Sequence, residues 1–179
     1  MTLYPLLPVP ALATLLCLAC HSAQADGFFM QADGGRETRG GVIALQRRAL
    51  TYGINASAYD GGEELYASLT YALPLGDLAV MKFGPAIGKT WEDDAARNDD
   101  LRAGGKIALE RYRATDFGGL YGLAEIGSIN DAWFLLAQMD SRALDAGMSL
   151  SRGGSDNYTE TTLALRKGFR DSPFSLRAA

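Results

Sequence analysis

The side chains best suited to chemistry fall early in the chain and close together. Cys17, Cys20 and His21 comprise both cysteines and the only histidine of the sequence. They lie in a stretch that reads as an export signal: Leu12 to Ala19 is a short apolar run, and Ala23-Gln24-Ala25 has the small-x-small pattern of a signal peptidase site. No Lys or Arg precedes the run, so the terminal amine alone supplies its positive end. A transmembrane anchor is the rival reading, but Pro5, Pro8 and Pro10 interrupt the stretch, which is shorter than the roughly 20 residues a spanning helix needs. Cys20 could also be a lipidation site, although the aliphatic residue expected three places before it is absent. A mature chain opening at Asp26 keeps no thiol and no imidazole. That removes disulfides, thiol catalysis, Cys or His metal sites and Ser/His/Asp mechanisms.

The other motifs are weaker. Gly84-Pro85-Ala86-Ile87-Gly88-Lys89-Thr90 is similar to a phosphate-binding loop, but it places three residues between its glycines where four are required. Glu92, Asp93, Asp94, Asn98, Asp99 and Asp100 offer hard oxygen ligands without the alternating spacing and central glycine of a calcium loop, and read as a solvated acidic loop. Asn55-Ala56-Ser57 and Asn157-Tyr158-Thr159 match glycosylation acceptors, a three-residue pattern too short to carry meaning by itself. No catalytic, cofactor-binding or metal-binding residue is therefore assigned. General base work near neutral pH without His would need a strongly shifted Glu or Lys, so no enzyme is expected. The formal charge of -4 argues against nucleic acid, whose phosphates need a basic surface.

The remaining charged residues gain meaning from the elements that carry them. In Leu50 to Ala58 and again in Leu65 to Leu73, apolar residues alternate with polar or small ones, and only Asp60-Gly61-Gly62-Glu63 joins the runs. Successive strand residues face opposite sides, so the pair predicts an antiparallel hairpin with one apolar and one polar face. The pattern recurs to the C-terminus. It predicts ten strands, at Phe28 to Gly34, Arg39 to Arg47, Ala49 to Tyr59, Glu64 to Leu73, Leu78 to Thr90, Leu101 to Tyr112, Phe117 to Ser128, Ala132 to Met139, Leu144 to Ser151 and Tyr158 to Phe169. Eight is the alternative, because Leu135, Leu136, Met139, Ala143, Gly147 and Met148 also fit helical spacing. The domain organisation is a signal peptide over 1–25, one barrel domain over 26–169 and a C-terminal tail over 170–179.

Connections alternate in kind. Gln46-Arg47-Arg48, Pro74 to Asp77, Arg113 to Asp116 and Asp140-Ser141-Arg142 are tight. Gly35 to Thr38, Asp60 to Gly62, Glu92 to Asp100, Ile129 to Asp131 and Gly153 to Asp156 lie opposite and include the longest. Short turns on one rim and longer loops on the other are the habit of outer-membrane barrels.

Face by face, Leu50, Tyr52, Ile54, Leu65, Leu69, Phe83, Ile107, Leu109, Ile126, Leu135, Leu150, Leu163 and Leu165 share one side. The other side carries Glu64, Lys82, Arg102, Lys106, Glu110, Glu125, Glu160 and Arg166, the residues expected to face the barrel interior, together with Asp33 and Asp145. Acids and bases there can pair across the lumen, since unpaired burial would be costly. Only a closed sheet leaves no unpaired edge in hydrocarbon. The expectation is an all-β, closed, antiparallel up-and-down transmembrane β-barrel. Tyr52, Tyr71, Trp91, Trp133 and Phe169 fall near strand ends, where aromatic girdles belong.

The run from Gly40-Gly41-Val42-Ile43 through Tyr52-Gly53-Ile54 to Phe83-Gly84-Pro85-Ala86-Ile87-Gly88, with a last strand Leu163 to Phe169, resembles the small bacterial outer-membrane β-barrel proteins of the OmpX/OmpW type. The alternating final strand ending in an aromatic is similar to the family's assembly signal, read by the outer-membrane insertion machinery. Here Arg170 to Ala179 follow it.

That resemblance implies a Gram-negative cell envelope, location in the bacterial outer membrane, and contact with outer-membrane lipid. Without catalysis, the expected role is structural or surface-interacting, with an extracellular ligand expected, if anywhere, at loop 92–100. The alternatives are a narrow, porin-like pore or accessory barrel for polysaccharide or lipid export, and a soluble periplasmic lipocalin-like binding barrel.

Overall fold

The computed structural model describes residues 27–34, 38–92, 101–155, 158–169 and 172–178. The export segment, including Cys17, Cys20 and His21, lies outside the described residues, as do 93–100 of the acidic loop.

Alternation becomes strand throughout. The elements are β1 (Gly27–Gly34), β2 (Arg39–Arg47), β3 (Leu50–Tyr59), β4 (Gly62–Pro74), β5 (Val80–Glu92) and β6 (Arg102–Thr115). They continue as β7 (Gly118–Gly127), β8 (Trp133–Ser141), β9 (Ala146–Ser155), β10 (Tyr158–Gly168) and β11 (Ser175–Ala178). All pair in sequence order and antiparallel, giving one up-and-down sheet of eleven strands that forms a half-barrel. The segment Ala132 to Leu150, helical in one reading of its spacing, forms β8, the turn after it and the first half of β9. Its inward residues face fully paired neighbours, and the ladder outweighs a helical pattern that only part of the segment supports.

One expectation is corrected. The strand count is eleven rather than ten or eight, because the segment read as a tail holds β11, paired to Leu165 through Gly168 of β10. Closure is not seen. β1 and β11 share no backbone pairing; their link is the Arg177 guanidinium, 2.6 Å from the Asp33 carboxylate. A strand of four residues pairs with β10 only from Leu165 to Gly168, and β11 does not extend along the edge from Ala164 back.

Turn chemistry sets the register. Asn130 and Asp131 both adopt positive φ (56° and 45°), and the Ala132 N–H donates to the Ile129 carbonyl at 3.2 Å. Mirror-image turns of this kind match the twist of the flanking strands, and Asn and Asp tolerate them best. Gly61 at φ 93° closes the two-residue link between β3 and β4. Arg48 at φ 55° separates β2 from β3, so Gln46 and Arg47 belong to the strand rather than the turn. Asp145 (φ 48°) stands in the turn between β8 and β9, so the expectation of an inward strand position for it is corrected; conversely, Asp140 and Gly153 to Ser155 are strand residues.

Pro85 lies in a central strand, where proline is uncommon. It has no N–H to give, and the ladder from β4 to β5 skips Leu69 and Thr70 before resuming at Tyr71 and Phe83 in the same register. A Cβ at Gly84 would collide with the Leu69 carbonyl, so the close approach of the two strands here requires glycine.

Candidate functional site

Cross-strand partners share a face, and the register therefore sorts every strand residue into one of two surfaces. One surface is polar and concave: its side chains reach past neighbouring strands, as when Lys106 of β6 lies over the Tyr66 ring of β4, 5.8 Å from its centroid. Gly84, Ala86 and Gly88 of β5 lie between them on that face and leave room. The other surface is apolar and exposed. Adjacent residues of β10 mark the contrast: Leu163 is 59% exposed and Ala164 is 2% exposed.

On the concave face, Lys82 Nζ lies 2.7 Å from Glu110 Oε1, and the Tyr121 hydroxyl donates to Glu110 Oε2 at 3.0 Å. Lys106 Nζ lies 2.8 Å from Glu125 Oε1. The register puts each partner diagonal to the other on neighbouring strands, β5 and β6 for the first pair, β6 and β7 for the second. These side chains are only 15–25% exposed, so unpaired charges would lose much of their hydration. Nearby, Arg102 donates to Asn130 Oδ1, and Asn130 Nδ2 donates to Glu64 Oε1 at 3.5 Å. A turn residue thus joins β4 to β6.

A second group sits toward the last strands. Arg166 Nη2 contacts Asp140 Oδ1 at 2.6 Å, and Gln138 Nε2 donates to Asp140 Oδ2 at 2.8 Å. Arg166 and Arg177 are direct cross-strand partners, a like-charge pairing that is unfavourable alone. Each guanidinium turns to its own carboxylate, Arg166 to Asp140 and Arg177 to Asp33, while Gln31 also donates to Asp33. Glu160 accepts from the Thr162 hydroxyl at 3.1 Å.

The eight residues singled out in the sequence are thus distributed rather than focused. Lys82 with Glu110, and Lys106 with Glu125, are direct pairs; Glu64 and Arg102 meet through Asn130; Arg166 pairs with Asp140, and Glu160 accepts from Thr162. Pairing runs mainly between near neighbours, not across an open lumen. Tyr66, Tyr121, Asn130, Asp140 and Arg177 were not among the expected site residues. Strand parity does place Tyr66 with Glu64, and Tyr121 with Glu125, but aromatic residues in such a pattern suggest an outer girdle. Among the described residues, no three of His, Cys, Asp and Glu come together as a metal set. Chemically, the face offers ion pairs and phenols held between neighbouring strands, an arrangement suited to fixing strands.

Most charges of the apolar surface stand toward the strand ends. Arg47, Arg113 and Lys167 stand toward one rim and Arg39, Glu63 and Lys89 toward the other, while Arg111 and Arg152 lie in rows that cross the middle of β7 and β8. Tyr71 and Phe83 pack edge to face at 6.2 Å near the first rim, and Lys89 lies over Trp91 near the second. No protein-family model matches the chain, and no curated protein or solved structure matches it either, so its function is read from its own geometry.

Proposed function

We propose that this chain is an outer-membrane β-barrel of a Gram-negative cell envelope, related in kind to the OmpX/OmpW type, with a structural or surface-interaction role and no catalysis. One observation carries the reading: the surface is inverted. Leucines, isoleucines and aromatics along β3 to β10 stand exposed on the outward face, while alanines, Thr70 and Ser151 are buried on the other. Soluble monomers rarely expose contiguous apolar patches beyond a few hundred Å². In hydrocarbon the same face is favourable, and each outward Arg or Lys moved to mid-depth would cost about 2–4 kcal/mol. Most of the outward cations stand toward the rims. The neighbour-to-neighbour ion pairs favour an interior held rigid over one built for conduction.

Under this reading the insertion machinery assembles the chain, and loop 92–100 faces the exterior, where a ligand would meet it. Fractionation followed by a heat-modifiability gel tests it. The chain should sediment with the outer membrane and migrate differently with and without boiling. Recovery of the chain in the soluble periplasm with no mobility shift overturns the proposal in favour of a soluble binding barrel.

A further inference from the structure

Across β6 to β9 the outward surface is not smooth. Two parallel rows of cross-strand partners cross it, Arg111–Gly122–Ala137–Leu150 and Leu109–Ala124–Leu135–Arg152. Gly122, Ala124 and Ala137 contribute little side chain, so a groove of about 530 Å³ opens between the rows, floored by the backbone of Glu110, Leu123, Leu136 and Ser151. Leu78 and Ala79 of the turn after β4 border its near end beside Arg111. Three strand spacings make the groove about 14 Å long, the scale of an acyl chain.

Charge names the rest of the occupant. Arg111 and Arg113 stand two residues apart on the same face of β6, and their partners on β7 are Gly122 and Leu120, which carry no charge. Neither arginine belongs to an ion pair with a described residue, in contrast to Arg166 and Arg177 on the concave face. Two adjacent guanidiniums repel each other unless an anion lies between them, and their planar forks match phosphate oxygens. We propose that this groove binds one anionic glycerophospholipid, with an acyl chain along the small-residue floor and its phosphate on Arg111 and Arg113. This site rests on the membrane reading above.

The test uses the full chain reconstituted into vesicles of equal phosphatidylglycerol and phosphatidylcholine, then extracted in mild detergent and weighed by native mass spectrometry. Wild type should retain one phosphatidylglycerol. The double variant Arg111→Gln/Arg113→Gln should lower that occupancy roughly tenfold, the scale of losing a charged hydrogen bond. Gly122→Leu should lower it as well with both arginines intact; the nearest atom to a Cβ there is 4.0 Å away, so the leucine fills the groove without straining the wall. The heat-dependent gel shift reports that each variant is folded. Retention of phosphatidylcholine as readily as phosphatidylglycerol, or equal retention by folded variants, overturns the site and leaves the membrane reading standing. Failure of wild type to insert into any vesicle overturns both.

Discussion

At the scale of single residues, the concave face depends on completed pairs. Glu110 accepts from both Lys82 and Tyr121, so Glu110→Gln leaves an ammonium in a half-buried place with a weaker partner. We expect Lys82→Met or Glu110→Gln each to cost about 1–2 kcal/mol, discounted from a fully buried pair because water still reaches the site. The double variant should cost less than the sum of the two. Urea titration of the folded protein in micelles measures both. Glycine substitutions should separate by face: Gly84→Val should abolish folding through its collision with the Leu69 carbonyl, whereas Gly122→Leu should leave the gel shift unchanged. Polar residues on the concave face were legible from parity alone. Their partners were not, because a diagonal contact such as Lys106 with Glu125 depends on the register between strands, which one strand's pattern does not carry.

At the scale of elements, turns decide what the strands can pair with. Asn130 does two jobs, holding a left-handed backbone and bridging Arg102 to Glu64. Asn130→Gly should keep the turn and lose only the bridge, whereas Asn130→Ala should lose both and cost about 1 kcal/mol more, as a Cβ without a local hydrogen-bonding group disfavours positive φ. Comparing the two melting transitions separates the roles. The strands themselves were readable because period-two alternation is a direct image of facing. Asp145 escaped because a turn residue interrupts the alternation, and Asp140 because Asp next to Ser and Arg resembles a turn. β11 escaped because Ser-Leu-Arg-Ala is too short to show a period, and its place is fixed only by β10.

At the scale of the whole molecule, strand parity governs closure. In an up-and-down sheet of eleven strands the first and last point the same way, so β1 and β11 could complete an antiparallel ring only with an even number between the ends. β10 runs opposite to β1 and is the strand against which β1 could close. The short β11 occupies one end of that edge, Leu165 to Gly168, and Arg177 reaches to Asp33 over what remains. Unpaired backbone groups on such edges would each cost several kcal/mol in hydrocarbon. Deleting residues 170–179 is therefore expected to bring β1 onto β10. Engineered cysteine pairs placed between 28–32 and 160–164 should then cross-link efficiently in the shortened chain and poorly in the full one. In that light the last four-residue strand behaves as a wedge in a doorway: it occupies part of the edge where the two ends of the half-barrel would have to meet, and whatever withdraws it frees that edge for β1.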